Sequence, residues 1–187
     1  NDVIVFCDRC DVGVHRSCYH IKGDLPKDEW YCRPCAEHIS LGGSPEKVDR
    51  KGECRGLHDV VCPLCNLSGG SFVPCDMKRE SKDFSRKGST ILKKNRYVHA
   101  ACAQWLATQK KHISQNDDGF VTCAKYMERV EYKDPSLKTR RCIHCKSKEG
   151  AMLRCLGGKC RERFHVPCAF ADDKIFMDTS FISKEDS

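Results

Sequence analysis

Apolar residues occur along this chain only in short runs. The segment VIVF, residues 3–6, has the composition of a short strand. HAACAQWLATQ from His99 and HVPCAFADD from His165 repeat their apolar positions at helical spacing, so each predicts a short helix. GFVTCAKYMERVEYKD, residues 119–134, predicts either a strand or a short helix. None of these segments can enclose a core of its own, and none has membrane-spanning length, so we expect no membrane partner.

Cysteine and histidine are spaced regularly between these runs, and the chain has 16 cysteines in 187 residues. The C-x2-C pairs are Cys7/Cys10, Cys32/Cys35, Cys62/Cys65 and Cys142/Cys145, and the H-x2-C pairs are His15/Cys18, His99/Cys102 and His165/Cys168. A disulfide framework has no need of a histidine three residues before a cysteine, whereas zinc binds both residue types. We therefore predict small modules in which zinc supplies much of the folding free energy, about 10 kcal/mol or more per site.

Polar stretches divide the chain into three ligand-rich blocks, at residues 1–36, 62–106 and 142–170. Residues 37–61 are rich in glycine and charge and predict a linker. Residues 77–98 are basic and lack apolar periodicity, which predicts a loop inserted into the middle block. Residues 107–141 connect the second block to the third.

Charge is distributed unevenly, although the formal net charge is +7. Residues 1–60 contain 9 basic and 11 acidic side chains, whereas residues 78–96 contain 8 basic and 2 acidic ones. Bound thiolates make the total less informative, because a four-thiolate zinc site carries a charge of about −2. The local clusters therefore say more than the total.

The order of ligands in the first block differs from that of RING and LIM domains. Cys7, Cys10, His15 and Cys18, followed by Trp30, Cys32 and Cys35, resemble a PHD finger that lacks its first C-x2-C pair. The whole order resembles the PZP module, in which a PHD finger, a zinc knuckle and an extended PHD finger follow one another. The phrases VFCDRCDVGVHRSCY, CPLCNLSGGSF, VHAACAQW and FHVPCA carry this resemblance, which covers nearly the whole chain and uses 13 of the 16 cysteines.

The resemblance is strongest to the bromodomain-PHD and Jade-type scaffolds of MYST histone acetyltransferase complexes. Related modules occur in leukaemia-fusion cofactors, trithorax-like methyltransferases and Jumonji demethylases. The implied domains are a PHD finger (1–36), a linker (37–61), a zinc knuckle (62–106) with the basic insertion 77–98, a connector with the start of the extended PHD finger (107–141) and the extended PHD finger itself (142–187). The long linker and the insertion depart from the family and leave the subfamily open.

The resemblance also implies which ligands bind the same zinc ion. Three complete zinc sites are expected: Cys7/Cys10/Cys32/Cys35, Cys62/Cys65/His99/Cys102 and Cys142/Cys145/His165/Cys168. His15 with Cys18 and Cys155 with Cys160 each form half of a further site. Their partners are expected before Asn1 and after Ser187, so the sequence is expected to be a fragment clipped at both ends.

PHD fingers of this kind bind the amino-terminal tail of histone H3 as an added β-strand. The resemblance implies that the receiving edge is formed by Val3, Ile4, Val5 and Phe6, and that carbonyls around Pro26–Glu29 receive the α-ammonium group. The acids Asp2, Asp8, Asp11 and Asp28 suit a basic tail, although each is equally compatible with an ordinary solvated side chain. Methyl-lysine readers of the family place a tryptophan where this chain has Gly13, so we expect a preference for the unmodified tail. Trp30 is expected to be a core residue.

Basic clusters predict a second, sequence-independent contact with nucleosomal DNA. They comprise Lys78, Arg79, Lys82, Arg86, Lys87, Lys93, Lys94 and Arg96 in the insertion, and Arg140, Arg141, Arg154, Lys159, Arg161 and Arg163 around the third block. A solvated loop or a nuclear-import patch is the alternative for residues 78–96.

No catalytic constellation stands out, and each complete site has four protein ligands, which leaves no open position for catalysis. We therefore expect a nuclear, non-catalytic chromatin reader within a histone-modifying complex. A RING-like ubiquitin ligase and a zinc scaffold that does not bind histones are the alternatives. Cys54, Cys75 and Cys123 have no assigned role. A further site of Cys54 with His58 lacks a second ligand pair, so a free or buried thiol is expected at Cys54.

Overall fold

A computed structural model of the chain describes residues 2–24, 27–46, 60–76, 97–109, 112–125, 141–175 and 177–178. These residues form four two-stranded sheets, each antiparallel. The strands are β1 (Ile4–Phe6), β2 (Gly13–His15), β3 (Phe72–Pro74), β4 (Tyr97–His99), β5 (Ser114–Gln115), β6 (Val121–Thr122), β7 (Leu153–Arg154) and β8 (Arg163–Phe164). The helices are α1 (Arg33–Ser40), α2 (Ala100–Gln109) and α3 (Val166–Phe170). The predicted class, small modules of short sheets and short helices, is confirmed.

The first sheet pairs β1 with β2 in the register Ile4–His15, Val5–Val14 and Phe6–Gly13. Val3 lies just outside β1, but its carbonyl accepts a hydrogen bond from the amide of Arg16 at 2.9 Å. The predicted strand 3–6 is therefore present over nearly its full length.

Helices start beside the predicted metal ligands. Cys32 is the N-cap of α1 and His165 is the N-cap of α3, and each helix has proline in its first turn. Proline favours this position because its fixed φ suits the helix and no amide hydrogen is needed there. The helix predicted from His165 is shorter than expected, since α3 ends at Phe170.

The basic insertion ends earlier than the sequence indicated. Tyr97 and Val98 were placed at its end, but both are buried in β4, which pairs with β3. The segment beginning at residue 119 forms strand β6, and its residues from 126 onward lie outside the described part of the chain.

Buried residues of all three blocks form one hydrophobic cluster. The Tyr19 hydroxyl donates to the carbonyl of Phe72 at 2.7 Å and accepts from the amide of Arg33 at 2.9 Å. The Ala151 amide donates to the carbonyl of Leu64. The blocks thus share a core that none of them could form alone.

Polar contacts reinforce this packing. Arg33 donates to the carbonyl of Asp118 at 2.6 Å, and the Tyr97 hydroxyl bonds to the Glu37 carboxylate at 2.6 Å. Among the described helices, none is long and apolar enough to cross a membrane.

Candidate metal centres and adjoining surfaces

The same backbone turn occurs at three C-x2-C pairs. The carbonyls of Cys7, Cys62 and Cys142 each accept from the amide four residues later, at 2.9, 2.7 and 2.9 Å. Those later residues are Asp11, Asn66 and Lys146, with φ of 57°, 58° and 60°. Such a left-handed residue reverses the chain so that both thiols of each pair point to one side. The sequence feature that corresponds to it is the residue directly after the second cysteine.

Three ligand clusters result from these turns and are the ones expected. They are Cys7/Cys10/Cys32/Cys35, Cys62/Cys65/His99/Cys102 and Cys142/Cys145/His165/Cys168, each with its ligand atoms within 4.8 Å of one another. In the described part of the chain, no other group of three or more such residues converges in this way.

The two histidine-containing clusters orient their imidazoles alike. His99 Nε2 lies 2.5 Å from the carbonyl oxygen of Gly69, and His165 Nε2 lies 2.6 Å from that of Glu149. A carbonyl can only accept, so Nε2 carries the proton and Nδ1 is left as a lone-pair donor. Nδ1 of His99 lies 3.2 Å from the sulfur of Cys65, and Nδ1 of His165 lies 3.4 Å from that of Cys145.

Proton affinities within the clusters indicate that they hold negative charge. Although burial opposes it, backbone N–H groups of Cys145, His165 and His144 lower the pKa of the Cys142 thiol. Burial, together with the hydrogen bond to Cys145, raises the pKa of Cys168 to about 12. One thiol therefore ionises readily while its neighbour resists, because two adjacent thiolates repel each other. A divalent cation removes that repulsion.

These donor sets fit zinc, which binds sites of four cysteines, or of three cysteines and one histidine, tetrahedrally. Bound zinc would serve a structural role here, tying together segments that are far apart in sequence. The sequence analysis missed Arg9, which lies beside the first cluster. Its buried guanidinium donates to the carbonyl of Ser44 at 2.9 Å and lies 3.8 Å from the sulfur of Cys35. A fixed cation there partly offsets the charge of the four thiolates.

The two remaining ligand pairs are not completed by described residues. His15 Nδ1 lies 3.1 Å from the carboxylate of Asp2, and Cys18 lies nearby in sequence. Cys155 and Cys160 are half-buried at the tip of the β7–β8 hairpin. Their roles as zinc ligands stay predictions.

The predicted tail-binding edge is exposed. Ile4 and Phe6 of β1 are 49% and 62% exposed, and in the described sheet β1 pairs only with β2. Gly13 lies across from Phe6 on the exposed face. Pro26 lies outside the described residues.

The four acids near this edge differ in their surroundings. The Asp8 carboxylate accepts from the Trp30 amide at 2.7 Å, so it organises the finger. Hydrogen bonds from the Ser17 hydroxyl and amide lower the pKa of Asp2. Asp11 occupies the turn position described above, and Asp28 is exposed. Trp30 packs edge-on against Tyr19 with ring centroids 5.7 Å apart, which supports its expected core role.

The basic residues fall into two groups. Arg141, Arg154, Arg161 and Arg163 line one cleft of about 450 Å³, together with Glu162. Lys159 is exposed nearby. The remaining predicted DNA residues lie outside the described part of the chain: Lys78, Arg79, Lys82, Arg86, Lys87, Lys93, Lys94, Arg96 and Arg140.

Two of the unassigned cysteines are buried. Cys75 is 5% exposed and Cys123 is fully buried. The segments that carry them are joined through Asp76, whose carboxylate accepts from the amides of Cys123 and Ala124. Cys54 lies outside the described residues.

These features together define a zinc-binding finger module. They are the repeated turn at the C-x2-C pairs, the clusters of four cysteines or of three cysteines and one histidine, and the very short sheets. Comparison with known families agrees: residues 1–36 match the PHD-finger model and residues 97–186 match that of a PHD-like zinc-binding domain. These two stretches of the chain are thus PHD-type zinc-binding fingers.

Individual relatives extend this comparison. Protein Jade-1 of Xenopus laevis is 30% identical over 183 residues, covering 98% of this chain and 17% of its own length. Protein Jade-3 of Danio rerio is 31% identical over 173 residues, or 91% of this chain and 16% of its own. The human E3 ubiquitin-protein ligase Jade-2 is 29% identical over 170 residues, which cover 89% of this chain and 16% of the length of Jade-2. The chain therefore corresponds to a small part of these relatives.

A solved structure shows the same fold. The crystal structure of the zebrafish PHF14 PZP module superposes with a TM-score of 0.54 at 23% identity, covering 90% of this chain and 66% of that one. The resemblance to PZP modules that the sequence indicated is confirmed.

Proposed function

We propose that the chain is a nuclear chromatin reader whose first finger binds the unmodified amino-terminal tail of histone H3. The observation that carries this proposal is the open edge of β1, where Ile4 and Phe6 present an exposed apolar face beside acidic residues. An extended peptide can add to such an edge through main-chain hydrogen bonds, while its side chains contact the exposed face.

The tail's free amino group provides the test. A fluorescent H3 tail peptide with a free amino terminus is expected to bind. The same peptide with an acetylated terminus is expected to bind at least about tenfold more weakly, because acetylation replaces the charged ammonium by a neutral amide and the receiving carbonyls lose its N–H donors. Equal affinity of the two peptides would contradict this mode of binding.

We also propose an auxiliary, sequence-independent contact with nucleosomal DNA. The arginines around the third cluster support it, because cationic side chains displace counterions from DNA. Tail and DNA would then be bound together, which strengthens attachment to a nucleosome without new contacts. A steep loss of duplex affinity with added salt is expected, and affinity independent of salt would refute the contact.

The proposed domain division is that of the sequence analysis, with the insertion ending before Tyr97. We propose that the module itself is non-catalytic and belongs to a histone acetyltransferase-type scaffold, alongside other subunits of that complex. Membership of a trithorax-like methyltransferase or Jumonji demethylase, or a scaffold role without histone binding, is the alternative. Because one relative is named an E3 ubiquitin-protein ligase, a ubiquitin-discharge assay tests the non-catalytic assignment, and we expect no discharge.

A further inference from the structure

Four arginine side chains converge on one cleft beside the third metal cluster. This arginine cleft is lined by Arg141, Arg154, Arg161 and Arg163, with Glu162, around a space of about 450 Å³. We propose that it binds a phosphate monoester at the end of a flexible side chain, namely a phosphoserine or phosphothreonine of a partner protein. This ligand differs from the H3 tail and the DNA duplex proposed above, although the duplex contact was assigned to the same arginines.

Backbone pairing forces two of these arginines together. Arg154 of β7 and Arg163 of β8 are direct cross-strand partners. Side chains paired in this way have Cβ atoms about 4.5–5.5 Å apart, and like charges directly opposite each other destabilise a sheet. A bound anion converts that repulsion into attraction.

The segments that carry the arginines are held in place. The Arg163 carbonyl accepts from the amide of Ile143 at 2.8 Å, which places the chain after Arg141 beside β8. On the other side, the side-chain amide of Gln109 bonds to both the N–H and the carbonyl of Arg154, at 3.2 and 3.3 Å. The cleft is therefore organised before any ligand arrives, which reduces the cost of binding.

Charge in the cleft is one-sided. Glu162 is the single acid among its lining residues. Within the described residues, the observed ion pairs involve neither Arg141 nor Arg154 nor Arg161. The lining residues of this one cleft therefore carry excess positive charge.

The shape and charge of the arginine cleft favour a monoester over a DNA backbone. A phosphoserine carries a charge of about −1.5 to −2 and three strong acceptor oxygens. Several guanidinium forks can share those oxygens through paired N–H bonds. A backbone phosphodiester has a single charge and two free oxygens, and a duplex presents its phosphates on a convex surface. A concave space suits a group that protrudes from its own chain.

Substitution of Arg154 by lysine separates two contributions to binding. Lysine keeps the positive charge but lacks the paired N–H donors of the guanidinium group. The proteins are the zinc-loaded chain, Arg154→Lys and, as a control outside the cleft, Lys174→Gln. Three labelled probes are followed by fluorescence anisotropy. They are a peptide whose one charged side chain is a phosphoserine, the same peptide with glutamate in place of the phosphoserine, and a DNA duplex. Backbone bonds to Gln109 do not depend on the side chain of residue 154, so the fold is expected to persist, and circular dichroism checks this.

The wild-type chain is expected to bind the phosphopeptide at least about tenfold more tightly than the glutamate peptide, because only the phosphate offers three oxygens to the forks. Arg154→Lys is expected to weaken phosphopeptide binding about tenfold and duplex binding less than about twofold, since lysine keeps the charge and loses the fork. Lys174→Gln is expected to leave the phosphopeptide unaffected.

Two results would overturn the proposal. One is equal affinity for the phosphopeptide and its glutamate counterpart. The other is equal weakening of phosphopeptide and duplex in Arg154→Lys, which would make the cleft only a part of the DNA surface. Neither result bears on the H3 tail, because that contact is assigned to β1.

Discussion

The ring of Phe6 lies across the α-carbon of Gly13. A Cβ atom added at Gly13 would stand only 3.1 Å from Cε1 of Phe6 and 3.3 Å from Cγ2 of Ile4. Phe6 nevertheless remains 62% exposed. The exposed face of the first sheet thus has one aromatic ring beside a residue without a side chain, and a cage that surrounds a methylated ammonium needs more than one ring.

Replacing Gly13 by tryptophan is expected to reduce the preference for the unmodified tail. The indole would add a second ring beside Phe6, whose exposed side chain can move to make room. A cation–π contact contributes about 0.5–1 kcal/mol at an exposed site, so affinity for a lysine-trimethylated H3 peptide is expected to rise a few-fold. Titration of both peptides against Gly13→Trp and Gly13→Leu measures this. If leucine produces the same change as tryptophan, the ring is not responsible.

Arg9 is expected to support zinc binding at the first cluster. Arg9→Met removes a buried cation 3.8 Å from the Cys35 sulfur. Loss of such a supporting contact typically lowers metal affinity about 10–100-fold. Competition with a colorimetric chelator should show that one zinc per chain binds more weakly in Arg9→Met. The zinc affinity of Arg9→Lys should lie between those of Arg9→Met and the wild type. Unchanged release of all zinc from Arg9→Met would mean that its charge is not coupled to the metal.

Tyr19 is expected to hold the first finger against the zinc knuckle. Tyr19→Phe leaves the Phe72 carbonyl and the Arg33 amide without their partner, which is expected to cost about 1–2 kcal/mol of unfolding free energy. Tyr31→Phe is the matched control, since the Tyr31 hydroxyl donates to the exposed Glu29 carboxylate, and a change within about 0.5 kcal/mol is expected. Thermal melts of both variants measure this difference. An unchanged stability of Tyr19→Phe would show that these hydrogen bonds do not help to hold the first finger against the zinc knuckle.

The contribution of Tyr19 is also expected to depend on pH. Burial raises the pKa of its hydroxyl above the ordinary value of 10.0. The folded state therefore retains the proton more firmly than the unfolded state, so this stabilisation is complete below pH 10 and is lost as pH rises toward the folded-state pKa. The difference in unfolding free energy between wild type and Tyr19→Phe should shrink above pH 10. A constant difference would show that the hydroxyl does not remain protonated in the fold.

Spacing in the sequence was sufficient for the ligand pairs because each pair is local and is presented by one turn. Which pairs share a metal was implied by the resemblance to PZP modules, and the three clusters agree with it. The left-handed residue after Cys10, Cys65 and Cys145 is part of that same local signal. The helix from His99 was predictable for a similar reason, since its apolar positions repeat within the segment itself.

Contacts between segments distant in sequence could not be predicted in this way. Nothing near Arg9 in the sequence indicates that its side chain reaches Ser44, and nothing near Tyr19 indicates Phe72. Tyr97 and Val98 follow a long polar run, so their strand is recognisable only from its partner β3. Likewise, the basic character of Arg154 and Arg163 was evident from sequence, whereas their direct pairing depends on the register of the hairpin.

The central claim is that β1 receives an unmodified histone H3 tail. Calorimetric titration of the chain, with its zinc content verified, against unmodified and lysine-trimethylated H3 tail peptides tests it most directly. The account predicts tighter binding of the unmodified peptide. Absence of binding to either peptide, by a protein with three filled zinc sites, would contradict it.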